Sequence, residues 1–423
     1  MPLFLKLREK LSYSWVVVFT LAIATTILNG IRQTFGVFFK SIESEFSLTR
    51  ATTSAVFSAS MLINAGVAIL AGWASDRYGP RTVIFLMGLI TGLGLLLTSQ
   101  TNAAWQLFIT YSLLLSLGTG AIFIVAVSTV SKWFTERRGR AMGIIASAVG
   151  LGVIVFAPLA TVLISYFDWR IAFIIIGVIA WFIVVPLSTL LRRTPGENGT
   201  LPDETIPGSI DTERKRIESE EDNIQSAGLS VIQALGTRNF WYILSIWVFQ
   251  GFTVRLIMTH IVPHATDIGI PAVQAATILS VQGGAQIIGG MLMGFVCDRI
   301  GSKMSVIISA LLRTSALAWL IFAQDLWTFY LFALVSGFSL GGLATSMIVL
   351  IGNAFGLRRI GSIMGMLAIG HAVGSAIGPA IGGLVFDITN SYFSAFLSAA
   401  VAMSLVAILA FLTRREAEMD VNR

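Results

Sequence analysis

The chain holds one cysteine, Cys297, in 423 residues. A single thiol excludes a disulfide framework and any cysteine-based metal site. Charge is also scarce, at 12% against about 25% in a soluble domain, so an ordinary cytosolic enzyme is excluded. The composition is instead 55% hydrophobic, with a mean hydropathy of +0.83. The 40 glycines follow no collagen period. Basic residues exceed acidic ones by 28 to 22, a net +6. In a soluble chain that balance raises the question of nucleic acid; here the basic residues must first be placed against a bilayer.

A helix crossing a bilayer needs about 20 mostly apolar residues. Twelve segments qualify, near 15–39, 51–74, 81–99, 105–131, 140–166 and 170–190, then 239–266, 272–296, 304–323, 326–353, 361–386 and 391–412. The first follows Lys6, Arg8 and Lys10 as a signal peptide would. Its apolar run is too long for a signal core and no small-residue cleavage site follows, which predicts a retained span. Between the sixth and seventh spans lies 191–238, with the mixed-charge run DTERKRIESEED, which reads as a flexible linker. The expected domains are a six-helix bundle over 1–190, the linker 191–238, a second bundle over 239–412 and a tail over 413–423.

The basic residues orient these spans. Twenty-two of the 28 fall in loops and tails on the side of the termini, and the opposite loops hold only Lys40, Arg50 and Arg170. This asymmetry predicts that both termini are cytoplasmic, in a multi-pass protein of the plasma membrane.

The halves repeat. Gly72-Trp-Ala-Ser-Asp76-Arg77-Tyr-Gly79-Pro-Arg81 recurs as Gly294-Phe-Val-Cys-Asp298-Arg299-Ile-Gly301-Ser-Lys303, offset by 222. Arg137-Arg138 and Ala141-Met142-Gly143 recur as Arg358-Arg359 and Ile363-Met364-Gly365 at nearly the same offset. Duplication predicts an all-α membrane protein, twelve transmembrane helices in two pseudo-twofold-related six-helix bundles.

With this doubled signature the sequence resembles the major facilitator superfamily over essentially its whole length. Trp133-Phe134-Thr-Glu-Arg137-Arg138-Gly-Arg-Ala-Met142-Gly143, continuing to Gly150, is similar to the fifth-helix signature of the monocarboxylate-transporter group. Asn29-Gly30-Ile31-Arg32-Gln33-Thr34-Phe35-Gly36 is similar to the first helix of bacterial members near the oxalate:formate antiporters. The resemblance implies the major facilitator fold, transport of organic carboxylates, and cavity-lining first and seventh helices. The group's acidic opening to the first helix is absent, as is the Asp/Arg pair that serves proton coupling in the eighth helix of its animal members.

Three basic residues remain within spans: Arg32, Arg255 and Arg313. Every acidic residue lies in a loop, a tail or a helix end. An intramembrane arginine costs at least about 2.5–3.5 kcal/mol on insertion scales, and an anion that arrives and leaves would offset it. Arg32 and Arg255 are 223 residues apart, within one of the repeat offset, so they take equivalent places in the first and seventh spans and are expected to face each other across the pseudo-twofold axis. A guanidinium fork binds carboxylate or phosphate through two bonds. Arg313 has no basic counterpart and is expected to pack or to snorkel.

Neutral candidates for the substrate site are Asn29, Gln33 and Thr34 beside Arg32, and Gln250, Thr253 and Thr259 beside Arg255. Gln282 and Gln286 share a face, Asn64 is a further polar position, and Tyr111 and Tyr330 carry hydroxyls suited to a carboxylate. His260 can line the outer cavity or carry a proton, or simply pack. His264 one turn on completes an i,i+4 pair, but no acidic ligand accompanies it, so no metal is expected. His371 is a candidate within a glycine-rich stretch. Gly370, Gly374, Gly378 and Gly382 make a flat face for close helix approach, and Gly139, Gly143 and Ser147 are expected to do the same. The Asp76, Arg77, Arg81 and Asp298, Arg299, Lys303 loops are expected to latch one side in one state and part in the other.

The expected function is a monomeric secondary transporter of small organic carboxylates, with no cofactor, no catalytic residue, and protons or a counter-anion as co-substrate. The alternatives are a proton-coupled monocarboxylate symporter, an organophosphate exchanger and a non-transporting anion sensor.

Overall fold

The computed structural model describes residues 13–134, 138–192, 231–356 and 360–413. Twelve helices among them are long and apolar enough to cross a membrane. They are α1 Tyr13–Glu45, α2 Arg50–Tyr78, α3 Pro80–Ser99, α4 Ala104–Trp133, α5 Arg138–Tyr166 and α6 Trp169–Ser188. After a short helix at Val231–Leu235 come α7 Arg238–Asp267, α8 Ala272–Ile300, α9 Ser302–Leu320, α10 Leu326–Phe355, α11 Ile360–Thr389 and α12 Phe393–Leu412. The end of the expected linker is thus helical from Val231. Most of the linker and the tail beyond Thr413 lie outside the described residues.

Two of these helices are irregular, and both irregularities lie beside Arg32. In α1 the α-helix stops at Gln33 and resumes at Phe35. Thr34 sits between, and its hydroxyl donates to the Ile31 carbonyl at 2.8 Å. In α4, Phe108–Leu115 is π-helical. Neither break was visible in the hydrophobic pattern, because the residues on both sides are apolar.

The repeat has a backbone counterpart. Gly79, between α2 and α3, has φ 84° and ψ 158°, and Gly301, between α8 and α9, has φ 86° and ψ 156°. This region is essentially reserved for glycine, so the same turn chemistry closes the same helix pair in both halves. Gly79→Ala or Gly301→Ala is expected to cost about 1–3 kcal/mol, read as an earlier thermal transition of the detergent-extracted protein.

The described parts of Met1–Thr205 and Met258–Gly283 form one compact unit, and those of Ile206–Ile257 and Gly284–Arg423 form another. The end of α7 from Met258 and the start of α8 to Gly283 thus group with the first unit. The cause within the first unit is close backbone approach: a Cβ at Gly36 would run into the Met258 and Thr259 carbonyls, and one at Gly283 would press on the Gly150 carbonyl.

Without a hydrophobic drive between helices in lipid, small residues and short polar contacts hold spans together. In the first unit α1 meets α5 at Gly30 and Gly152, and α3 meets α6 where Trp181 donates to the Leu89 carbonyl at 2.8 Å. The α2–α4 seam carries Ser60–Ser116 at 2.9 Å and Ser112 to the Val56 carbonyl at 2.6 Å. In the second unit, Gly370, Gly374 and Gly378 of α11 abut Leu244, Val248 and Phe252 of α7, as their spacing predicts. On α5 a Cβ at Gly139 or Gly143 would meet no described atom within 4 Å, and a close contact of α5 lies two turns further along, at Gly152.

Of the two alternatives for Arg313 the structure has packing: it is fully buried between α9 and α10, with Nη1 3.5 Å from the Ser336 carbonyl. Serines line this seam, including Ser305–Ser346 at 2.6 Å.

Candidate functional site

Arg32 lies in the last turn of the first half of α1. There the carbonyls at the helix end carry partial negative charge and favour a cation. The side chain is partly accessible. Its Nη2 is 3.4 Å from Asn29 Oδ1, which is long for a hydrogen bond, and its Nε has no partner. Among the described residues no carboxylate pairs with it. Tyr111, buried in the middle of the π-helical segment, is an electrostatic neighbour from another span. The Tyr111 ring centre is 5.0 Å from that of Phe35, which stacks at 4.9 Å on Phe57. Arg32, Asn29 and Tyr111 are thus brought together against an aromatic wall. Gln33 is buried one position further on.

His260 is fully buried. Its Nε2 is 3.4 Å from Ser54 Oγ, and Phe39 meets the ring edge-on at 5.4 Å. Gln282 is buried on α8, with Oε1 lacking a partner. Asn64 reaches Ser60 Oγ at 3.5 Å.

In the second unit Arg255 is buried on α7. Thr253 on the same helix turns its hydroxyl to the Gln250 carbonyl at 3.1 Å. His371 of α11 stands edge-on to Trp247 of α7 at 5.9 Å. Tyr330 is only half-buried, at the start of α10, edge-on to the exposed Trp327.

Of the expected latch loops, Arg77, Arg81, Asp298 and Arg299 are exposed, and the Asp76 side chain lies outside the described residues. Arg77 covers the Trp73 and Tyr78 rings. Lys303 donates to the Thr413 carbonyl at 2.8 Å.

An ion-pair cluster that the sequence did not reveal lies at the opposite end of the first unit. Arg50 holds Asp267 through two bonds, Nη1–Oδ2 at 2.6 Å and Nη2–Oδ1 at 3.0 Å. Lys40 Nζ reaches the same Asp267 Oδ1 at 2.5 Å, and Arg50 Nε donates to Glu43 at 3.2 Å. Nearby in the chain, Arg170 pairs with Glu45 at 2.9 Å and donates to the Thr101 carbonyl at 2.8 Å. The three basic residues read only as a topology signal are therefore all engaged with carboxylates.

Twelve spans, two of them interrupted beside an intramembrane cation, have the build of a membrane solute carrier. The family model described as Major Facilitator Superfamily matches residues 18–281 and 248–423, and the chain belongs to that superfamily. Human monocarboxylate transporter 12 is 24% identical over 410 residues, covering 94% of this chain and 80% of its own length. The oxalate:formate antiporter of Oxalobacter formigenes is 23% identical over 299 residues, covering 69% and 66%. Among solved structures, a bacterial homologue of the human lysosomal transporter Spinster, inward-facing and unoccupied, superposes with a TM-score of 0.73 at 14% identity, covering 95% of this chain and 97% of that one. The protein is a major facilitator transporter related to the monocarboxylate transporters and the oxalate:formate antiporter, and not an enzyme.

Proposed function

We propose that this transporter moves small organic carboxylates across the plasma membrane by alternating access, with both termini cytoplasmic and with Arg32 and Arg255 as the carboxylate-binding pair. The observation that carries the reading is Arg32. It stands at a break in a membrane-crossing helix, is partly exposed, and has among the described residues neither a partner for its Nε nor an acidic neighbour paired with it. A carboxylate bound there satisfies the fork with two charge-assisted bonds, and the Tyr111 hydroxyl is the natural third donor. The two relatives named above are called transporters of monocarboxylates and of oxalate and formate, the same chemical class.

Arg32, with no carboxylate partner among the described residues, resists crossing the dry barrier in an empty carrier, and Arg255 is a second buried cation. That favours exchange of one anion for another over net uniport, and a dianion neutralises both. His260, buried beside Ser54, supports the second reading, proton-coupled monocarboxylate symport.

The test is uptake by the purified protein in liposomes, with labelled lactate, oxalate, succinate and glycerol phosphate, with and without internal anion. Carboxylate uptake that requires an internal carboxylate is expected. Uptake driven by an imposed proton gradient without internal anion selects symport, and a preference for glycerol phosphate selects organophosphate exchange. Saturable binding without uptake marks a sensor. Transport of only a sugar or an organic cation overturns the electrostatic reading. Tyr111→Phe is expected to raise the KM about tenfold, the scale of one hydrogen bond to a charged group, with surface abundance unchanged.

A further inference from the structure

We infer that Lys40 and Arg50 form an external docking site for the substrate carboxylate, occupied here by Asp267 as a tethered stand-in. The inference rests on the proposed carriage of carboxylates and adds a second site to it, at the end of the first unit opposite the termini.

The geometry is that of a built carboxylate site. Arg50 meets both oxygens of Asp267 with parallel bonds of 2.6 and 3.0 Å, and Lys40 adds a third contact at 2.5 Å. A guanidinium fork makes this arrangement with any carboxylate, tethered or free. The Arg50 side chain is only 8% exposed. Left without an anion it would carry the full desolvation cost of a buried charge, so a departing Asp267 must be replaced.

Charge counting gives the sign. With Asp267 in place the cluster has two cations, Lys40 and Arg50, and two carboxylates, Glu43 and Asp267. Withdrawal of Asp267 leaves one net positive charge and donors already aimed at an absent carboxylate. Glu43 stays bonded to Arg50 Nε, which orients the fork and keeps affinity moderate, as an entry site requires.

Asp267 is also placed to leave. It is the last residue of α7, four beyond Pro263. Proline has no N–H to donate to the carbonyl one turn back, so the terminal turn is the most easily separated part of the helix. A cavity of about 160 Å³ lies against this turn, bordered by Lys40, Ser41, Thr161, Ser165 and Thr266. It gives a small anion room beside Lys40 while Asp267 still holds Arg50. An incoming carboxylate then exchanges for Asp267, one anion for another, and Arg50 is never left bare. Because the substrate reaches the Arg50 fork only in the form that Asp267 has vacated, it binds that form better and shifts the population toward it.

The test reads docking without transport. Ser41→Cys is made in a Cys297→Ser background and labelled with a membrane-impermeant maleimide from the side opposite the termini. Asp267→Asn is expected to raise the labelling rate, and external oxalate is then expected to slow it about fivefold, the scale of a partly buried charge contact. That protection is expected to persist in Arg32→Ala and to disappear in Arg50→Gln; Lys40→Gln serves the same purpose if Arg50→Gln does not reach the membrane. Absence of protection in Asp267→Asn, or protection that survives loss of both cations, overturns the docking site. Failure of the central reading shows separately: Arg32→Ala and Arg255→Ala would then transport normally, whatever oxalate does at Ser41→Cys.

Discussion

Arg32→Ala is expected to abolish anion exchange while leaving the folded protein in the membrane. Removing one partner of a desolvated, hydrogen-bonded charge pair costs about 2–5 kcal/mol, or roughly thirtyfold to several-thousandfold in kcat/KM. Stability should move the other way. The empty carrier holds this cation at a cost of at least about 2.5–3.5 kcal/mol on insertion scales, offset here only by a long contact to Asn29 and by the helix end. The variant should therefore melt at the same temperature as the parent or above it. Arg32→Lys keeps the charge but loses the fork, and is expected to recover a minor part of the rate. Loss of thermal stability in step with transport would identify Arg32 as a structural cap of α1 rather than a ligand for substrate.

Gly152→Leu is expected to have the largest effect on folding. A Cβ there would lie 2.5 Å from the Thr26 carbonyl oxygen and 2.8 Å from the Gly30 nitrogen. Reciprocally, a Cβ at Gly30 would lie 2.7 Å from the Gly152 carbonyl oxygen. These neighbours are backbone, so α1 and α5 must separate and lose the Thr26 hydroxyl bond to the Ala148 carbonyl. Overpacking of a tight interface costs about 1–3 kcal/mol or more, and the added bulk here is a whole isobutyl group. The expected readout is collapse of the monodisperse peak after extraction, with Gly152→Ala intermediate. Gly30 is two residues before Arg32, so any Gly152→Leu protein that does fold should still carry anion poorly. A stable, fully active Gly152→Leu protein would show that the α1–α5 seam does not set the position of the arginine.

The count of spans, their class and the duplication were legible because each rests on a local signal. Twenty apolar residues are visible without knowing what they touch, and the Asp76 and Asp298 signatures announce turns that Gly79 and Gly301 then make with the same dihedrals. Arg32 was legible because charge inside an apolar run is expensive wherever it packs. What escaped was relational. Lys40, Glu43, Arg50 and Asp267 each looked like an ordinary loop or helix-end charge, and Arg50 and Asp267 are 217 residues apart. One faint signal was available: the loops opposite the termini hold only three basic residues, each within five residues of an acidic one. Gly139 and Gly143 show the converse, small residues at packing spacing with nothing within 4 Å of an added Cβ among the described residues.

The π-helical turn at Phe108–Leu115 gives the site an unusual kind of adjustability. A π turn holds about one residue more than an α turn, and one residue corresponds to about 100° of rotation around the helix axis. Deleting a single residue C-terminal to Tyr111 would let the segment relax into regular α-helix and swing the two flanks of α4 against each other by that angle. Either Tyr111 would turn away from Arg32, or the Ser112 and Ser116 contacts to α2 would come out of register. If Arg32 and Tyr111 bind substrate as proposed, its preference is expected to change by insertion or deletion within one helix, with every proposed site residue still present in the sequence.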